Sequence, residues 1–194
     1  MNDIALGLSD PAHDSQKLFR AVLDAFAHPG RIVALTQGPA GVGPLSRAAT
    51  AFVLTLVDRD TPLWLSPDLD SPAVRDFVRF HTGAPLVARE ADALFALLTP
   101  QHAPLIDGFA IGTDPYPDRS ATLVIEVPAL IGGPALTLRG PGIETEAHAN
   151  IAGLPASFVE EWAANRTLFP CGVDLVFTAG SELMALPRSI AVEI

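Results

Sequence analysis

The sequence predicts a single α/β domain in which a mixed β-sheet carries helices on both faces. Patterns typical of helices dominate the first half of the chain, and patterns typical of strands gather in the second half. The 194 residues suit one domain, and neither an internal repeat nor a low-complexity linker divides them. Helices on both faces of one sheet are the natural packing for this order. We therefore assign residues 1–194 to one three-layer α/β/α domain.

Helices in the first half are predicted from apolar spacing and from capping residues. A first helix, capped by Asp14 or Ser15, has apolar residues at i, i+3, i+4 and i+7, namely Phe19, Val22, Leu23 and Phe26. Residues 46–57, rich in alanine and leucine, predict a deeply buried second helix. Pro72 opens a third helix that runs to Gly83. Short strands are predicted at residues 31–35, 61–65 and 86–87.

The second half contains the strongest strand signals. Residues 121–127 and 135–139 predict two strands, and residues 173–178 and 183–186 predict two more. A helix is predicted at residues 155–165, a short helix at 104–109 and a loop at 112–118. Residues 93–98 fit a strand or a helix equally well. Because Pro141 lacks an N–H donor, the sequence Gly140-Pro141-Gly142 indicates a tight turn rather than a cradle for an anion.

Composition excludes several classes of function. The formal charge of −10 repels phosphate backbones and anionic lipid head groups, so neither nucleic acid nor a membrane surface is an expected partner. The longest apolar run is too short to cross a bilayer, and the start of the chain lacks the pattern of a secretory signal. One cysteine, Cys171, fits a reducing compartment. We therefore expect a cytoplasmic protein.

Association with other chains is expected from the low charge content. Hydrophobic residues make up 49% of the chain and charged residues only 18%, whereas an average soluble domain has about 25% charged residues. The surface must then carry much apolar area, and large apolar patches on soluble proteins usually mark contacts with other chains.

The single lysine argues against pyridoxal-phosphate (PLP) chemistry. Lys17 lies about 160° around the predicted first helix from Phe19 and projects into solvent. An exposed lysine is not activated by desolvation, so it is a poor Schiff-base former.

Two other sets of residues could in principle be reactive, and a structural role is favoured for each. No histidine lies near Cys171 in sequence, so we interpret it as a half-buried structural cysteine rather than a nucleophile. Glu144, Glu146 and His148 would share one face of an extended segment and form a metal site. That segment follows a glycine-rich loop, so an exposed edge strand or loop is favoured and no metal is expected.

The densest polar cluster surrounds Arg79 and His81 at the predicted end of the third helix. Their simplest role is to bind the last carbonyls and favour the helix dipole; the alternative is a pocket for a small anion. Arg139 and Arg188 stand at strand ends, where an arginine commonly pairs with a carboxylate such as Asp174. These four residues, Arg79, His81, Arg139 and Arg188, are the candidate set for binding a small anion.

Several short segments, spread in order over essentially the whole chain, carry a resemblance to a known family. They include Phe19-Arg20 with Pro29-Gly30, Asp60-Thr61-Pro62-Leu63-Trp64-Leu65, residues 79–87, residues 138–143, Phe169-Pro170 with Gly172-Val173-Asp174, and Leu186-Pro187-Arg188. Taken together, these segments resemble the PhnH family of the bacterial carbon–phosphorus lyase system for phosphonate breakdown.

This resemblance implies a fold like the large domain of PLP-dependent transferases, without the cofactor. It implies a homodimer within a larger complex with PhnG, PhnI and PhnJ, which uses ATP to form ribose 1-phosphonate 5-triphosphate. It supplies no catalytic residues. From it we expect a non-catalytic subunit with no cofactor. The alternative is a small-anion or nucleotide-binding module, in which the four candidate residues line a pocket at the dimer interface for a nucleotide or a phosphonate. A free-standing enzyme using Cys171 or a metal is the third hypothesis.

Overall fold

A computed structural model describes residues 4–102 and 106–194. The helices are α1 (Pro11–Ala27), α2 (Arg47–Leu56), α3 (Pro72–His81) and α4 (Phe158–Thr167). The strands are β1 (Val33–Ala34), β2 (Leu63–Leu65), β3 (Phe95–Leu98), β4 (Ile111–Thr113), β5 (Tyr116–Ser120), β6 (Thr122–Glu126), β7 (Leu136–Arg139), β8 (Ala147–Ala149), β9 (Asp174–Ala179), β10 (Glu182–Leu186) and β11 (Ala191–Glu193).

A six-stranded mixed sheet forms the centre of the fold, in the order β1-β10-β9-β6-β3-β2. Strands β2, β3, β6 and β9 run parallel, whereas β10 is antiparallel to β9 and β1 is antiparallel to β10. The inner strands are apolar on both faces: Leu123 and Ile125 point to one core cluster and Val124 to the other. Such continuous apolar runs are typical of a parallel sheet covered on both sides.

Helices α1, α2 and α3 cover one face of this sheet. Their starts are fixed by capping side chains, because Asp10, Ser46 and Ser71 each accept a hydrogen bond from a backbone N–H in the first turn. Helix α2 is the most deeply buried, and its Phe52 and Val53 pack into the core beneath the helices. The predicted buried second helix is confirmed.

The second face is covered by α4 together with a small three-stranded sheet, β11-β7-β8. Phe158 of α4 packs edge-on against Phe177 of β9, with ring centroids 6.0 Å apart. The prediction of a mixed sheet packed by helices is confirmed, but in the described residues the second layer is one helix, α4, beside a small sheet that the prediction lacked. Its outer strands β8 and β11 are each three residues long, which is too short to produce a clear alternating pattern.

Three predicted elements differ from the structure. Helix α1 begins at Pro11, one residue after its cap Asp10, and it buries Leu18, Val22 and Ala25, whereas Phe19 and Leu23 are 43% and 51% exposed. The predicted loop at 112–118 is instead part of the hairpin β4–β5. Of the predicted helix at 104–109, residues 104 and 105 lie outside the described part, and Ile106–Gly108 forms one 3₁₀ turn.

None of the helices in the described residues combines the length and the apolar character needed to span a bilayer.

Candidate functional site

The most highly connected charged group in the described part of the chain is Arg188, directly after β10. Its guanidinium forms a two-pronged ion pair with the carboxylate of Asp174, the first residue of β9. It also donates to the hydroxyl of Ser120 and to the carbonyl oxygens of Pro117 and Pro170, at 2.9 and 3.4 Å for the carbonyls. The side chains of Arg188 and Asp174 are only 14% and 19% exposed.

This arrangement, called the Arg188 cluster below, comprises Arg188, Asp174, Ser120, Pro117 and Pro170. It joins the hairpin β4–β5, the loop before β9 and the end of β10 at the amino-terminal edge of the parallel strands. Arg188 also donates its backbone N–H to Asp174 at 2.8 Å. The predicted pairing of an arginine at a strand end with Asp174 is confirmed. Because a planar guanidinium with all its donors engaged holds several segments in one geometry, the cluster fixes the shape of this edge.

Cys171 lies beside the Arg188 cluster, between the loop and β9. It is 8% exposed, and its Sγ lies 3.7 Å from Oδ1 of Asp114. Burial, reinforced by the nearby Asp114 carboxylate, raises the pKa of the Cys171 thiol. Because the thiolate is the nucleophilic form, this environment favours the structural role that the sequence predicts.

Asn165 of α4 connects the helix layer to the same edge, and the sequence analysis did not identify it. Its amide nitrogen donates to the Val173 carbonyl at 3.0 Å, and its amide oxygen accepts from the Val173 N–H at 2.9 Å. Asn165 is 1% exposed. One buried side chain thus satisfies both backbone groups of the residue that precedes Asp174. The sequence signal that could have identified Asn165 is its position within a predicted helix, where asparagine is unfavourable unless its side chain has a specific partner.

Arg139 lies in the small sheet, away from the Arg188 cluster. At the end of β7 it donates to Glu193 of β11 at 2.7 Å and to Glu146 at 2.8 Å. Glu146 in turn lies 3.6 Å from Nε2 of His148 on β8. The predicted extended segment around Glu146 and His148 therefore exists at an exposed edge, and there Glu146 is engaged by Arg139.

Arg79 and His81 lie together at the end of α3, on the opposite face of the central sheet. The His81 ring packs against Phe77 with centroids 4.5 Å apart, and its Nε2 lies 2.9 Å from the Ala5 carbonyl oxygen. Arg79 is exposed in the last turn of the helix. The four predicted ligand-binding residues thus lie at three separate places in the folded structure. Their joint role in binding a ligand stays a prediction.

A carboxyl group that the sequence analysis did not identify lies at the carboxyl-terminal edge of the parallel strands. Glu126, the last residue of β6, accepts hydrogen bonds from the Ser46 N–H at 3.3 Å and from the Thr178 hydroxyl at 3.1 Å. It thereby joins the amino-terminal end of α2 to β6 and β9. Burial raises the pKa of Glu126 despite these hydrogen bonds.

We expect Glu126→Gln to flatten the dependence of stability on pH. A carboxyl whose pKa is raised in the folded state binds more protons there than in the unfolded chain. The wild type therefore loses stability as pH rises from the ordinary value of 4.5 through the raised pKa of Glu126. Urea unfolding between pH 4 and 8 measures this, and the variant should gain on the wild type as pH rises. Exposed Glu144→Gln is the matched control, and equal pH profiles for wild type and Glu126→Gln would contradict the expectation.

Comparisons with known proteins identify relatives of this chain. The sequence model of the family described as bacterial phosphonate metabolism protein (PhnH) matches residues 6–193. The alpha-D-ribose 1-methylphosphonate 5-triphosphate synthase subunit PhnH of Rhizobium meliloti (strain 1021) is 45% identical over 186 residues, which cover 95% of this chain and 93% of that protein. The putative C-P lyase subunit protein HtxG of Stutzerimonas stutzeri is 29% identical over 174 residues, with 90% and 83% covered.

Proposed function

The chain belongs to the PhnH family of bacterial phosphonate metabolism proteins, and from this premise we propose that it is a subunit of an alpha-D-ribose 1-methylphosphonate 5-triphosphate synthase. The observation that carries the proposal is the 45% identity to the Rhizobium meliloti subunit over 95% of the chain. At this identity the two proteins match over nearly their whole lengths, 95% of this chain and 93% of the relative, so the role named for the relative is the best guide to the role of this chain.

The proposal gives the subunit a structural rather than a catalytic task. Its most highly connected charged group among the described residues, Arg188, is engaged by Asp174 and by carbonyl oxygens of its own chain. The Cys171 thiol is buried and its pKa is raised. In this proposal the fold related to the PLP-dependent transferases works without their cofactor, because Lys17 is exposed and hydrogen-bonds to Gln37 at 2.9 Å and is therefore not activated by desolvation for Schiff-base formation.

The partners in this proposal are a second copy of the chain and the subunits PhnG, PhnI and PhnJ. Large apolar side chains on the surface support it, because exposed apolar area favours association. They occur on α1, on α3, in the loop after β6 and after α4, and they include Phe19, Leu23, Phe80, Ile131, Leu168 and Phe169.

We expect deletion of this gene to abolish growth on a phosphonate as the sole phosphorus source, and the wild-type chain to restore it. Cys171→Ala should restore growth fully, because the thiol has no chemical task in the proposal. Tagged protein should co-purify with PhnG, PhnI and PhnJ. Growth of the deletion strain without rescue, or a monomer that binds none of these subunits, would contradict the proposed function. Phosphonate turnover by the isolated chain would contradict the non-catalytic role.

A further inference from the structure

An open cleft lies between the start of α1 and the segment that leads into α2. Its volume is about 660 Å³, which is within the range of about 300–1,000 Å³ that is usual for small-molecule sites. One wall is a polar stripe at the spacing i, i+3, i+4, i+7, and the other wall belongs to the segment before α2 and its first residue. We call this the α1 cleft, and its charged and amide side chains are Asp10, His13, Asp14, Lys17, Gln37 and Arg47. Walls of this composition suit a polar, charged ligand.

Two cations on different helices reach the α1 cleft. Within residues 4–102 and 106–194, neither Lys17 nor Arg47 forms an ion pair. The Lys17 ammonium donates to the Gln37 amide oxygen at 2.9 Å, which uses one of its three donors. Arg47 donates from Nε to the Pro39 carbonyl oxygen at 3.3 Å, and in the same part of the chain its two terminal nitrogens have no hydrogen-bond partner. Both cations are thus positioned by their own chain and retain donors for an oxyanion.

A carboxylate lines the same cleft at a position where a helix usually carries an apolar side chain. Asp14 continues the buried face of α1 one turn before Leu18, and it is only 9% exposed. Its Oδ2 accepts hydrogen bonds from the Asp10 N–H and the Ser9 hydroxyl, both at 3.0 Å. These two bonds lower the pKa of Asp14, so the group is ionised at neutral pH. Its Oδ1 accepts no hydrogen bond from the described residues, and a donor on a ligand can therefore bind there.

We propose that the α1 cleft binds a small zwitterion, with its anionic oxygens on Lys17 and Arg47 and its ammonium group on Asp14. An anion alone would meet the Asp14 carboxylate and a cation alone would meet the two cations, whereas a ligand with both charges pairs with all three groups. The other carboxylate, Asp10, is already paired with the His13 ring at 2.8 Å. Because Asp14 and Lys17 are three residues apart on α1, their heights along the helix differ by about 4.5 Å, so a short chain should join the two charges of the ligand. The inference goes beyond the proposed subunit role and does not depend on it.

The first test compares matched ligands by titration calorimetry of the purified full-length chain. The zwitterions are O-phosphoethanolamine, 2-aminoethylphosphonate and β-alanine, whose anionic groups are a phosphate, a phosphonate and a carboxylate. Their analogues without the ammonium group are ethyl phosphate, ethylphosphonate and propionate. We expect at least one zwitterion to bind at least about tenfold more tightly than its analogue, because the ammonium group adds a charge-assisted hydrogen bond to Asp14. The zwitterion that binds most tightly identifies the anionic group that the cleft takes.

Variants test the role of each charge. Lys17→Gln and Arg47→Gln should each weaken binding of the zwitterion at least about tenfold, because each removes a cation that binds its anionic oxygens. Arg20→Gln is the matched control, since Arg20 is another exposed cation of α1 but does not line the cleft, and it should leave the affinity unchanged. Asp14→Asn keeps the volume and removes the charge, so it should abolish the preference for the zwitterion over its analogue. Circular dichroism checks that the variants are folded, and if Asp14→Asn is not, the ligand comparison on the wild type decides the same point.

Amide signals in nuclear magnetic resonance spectra locate the bound ligand. The signals of Gln37 and Gly38, which line the cleft, should shift on addition of the zwitterion, whereas those of Arg139 and Arg188 should not. The inference is overturned if no zwitterion shows saturable binding or if each binds no more tightly than its analogue. It is also overturned if Arg20→Gln weakens binding as much as Lys17→Gln, or if the shifts occur away from the cleft. Growth on a phosphonate tests the subunit role separately.

Discussion

Replacement of Arg188 by alanine is expected to lower the free energy of unfolding by about 3–5 kcal/mol. The change removes a guanidinium that is 14% exposed and leaves the carboxylate of Asp174, 19% exposed, without its cation. It also leaves the Ser120 hydroxyl and the carbonyl oxygens of Pro117 and Pro170 without the donor that joins them. Losing one member of a buried ion pair costs more than the pair contributes, because the remaining charge is left desolvated.

Arg139→Ala is the matched control for this experiment. Arg139 also binds two groups, Glu146 and Glu193, but these side chains are 43% and 63% exposed. Water screens such a surface pair, so its loss should cost at most about 1 kcal/mol. Urea unfolding at neutral pH compares the two variants directly. Similar destabilisation by Arg188→Ala and Arg139→Ala would show that the Arg188 cluster does not stabilise the fold as a buried ion pair.

A double variant separates charge from packing in the Arg188 cluster. Arg188→Met with Asp174→Leu removes both charges and keeps much of the volume, and we expect it to recover most of the stability lost in Arg188→Met alone. A double variant as unstable as the sum of its single variants would indicate instead that the hydrogen bonds to Pro117, Pro170 and Ser120 carry the effect.

Strands β6 and β9 and helix α2 could be predicted because the sequence of each satisfies one strong pattern, whereas the segment of β3 fitted a strand or a helix equally well. Strands β6 and β9 are continuous apolar runs, and burial on both faces demands just that composition. The orientation of α1 could not be predicted, since its sequence carries two apolar arcs and the pattern does not say which one meets the core. The prediction selected Phe19, Val22, Leu23 and Phe26; the structure buries Val22 and half-buries Phe26, but it leaves Phe19 and Leu23 exposed.

The hairpin β4–β5 was missed for a different reason. Strand β5 runs Tyr116-Pro117-Asp118-Arg119-Ser120, which has no apolar alternation. It is stabilised instead by side-chain contacts, and one of these involves a residue that is distant in sequence. The Arg188 guanidinium binds the Pro117 carbonyl, and the Arg119 guanidinium stacks over the Tyr116 ring at 4.1 Å. Local patterns do not record such contacts.

The contacts of the candidate site also include some that the sequence predicts and some that it does not. The pairing of Arg188 with Asp174 was predictable because both residues stand at ends of predicted strands. The hydrogen bonds of Glu126 to Ser46 and Thr178 were not, because Ser46 lies 80 residues away along the chain. The sequence shows that Glu126 stands at the end of a strand. The packing of α2 on the sheet determines that the backbone N–H of Ser46 donates to its carboxylate.

Gly142 shows how a turn was predicted correctly without its full cause. The tight turn predicted at Gly140-Pro141-Gly142 is present, with the Ile143 N–H donating to the Gly140 carbonyl at 3.1 Å. Gly142 has a positive φ of 84°, and a Cβ there would lie 2.4 Å from the Ala27 carbonyl oxygen. The turn therefore also requires glycine because the end of α1 packs against it, a contact that the sequence does not reveal.

Substitution of Asn165 by leucine is the second change with a large expected effect. Leucine has similar volume but neither donates to the Val173 carbonyl nor accepts from the Val173 N–H. Val173 is fully buried, and a buried backbone group left unsatisfied costs about 1–3 kcal/mol. With two such groups affected, the free energy of unfolding should fall by about 2–6 kcal/mol. Exposed Asn150→Leu, expected to change stability by at most about 0.5 kcal/mol, is the matched control.

Amide hydrogen exchange locates the effect of Asn165→Leu within the fold. The Val173 N–H should lose protection in the variant, and so should its neighbours where α4 meets β9, whereas the amides of β2 and β3 should lose protection only through global unfolding. Gly172→Ala offers an independent check, because its Cβ would lie 2.8 Å from the Asn165 Oδ1 at a φ of 111° and would displace the amide. If the Val173 N–H were as protected in Asn165→Leu as in the wild type, water or another group would be forming hydrogen bonds with the Val173 backbone. The conclusion that the Asn165 side chain connects α4 to the Arg188 cluster would then be wrong.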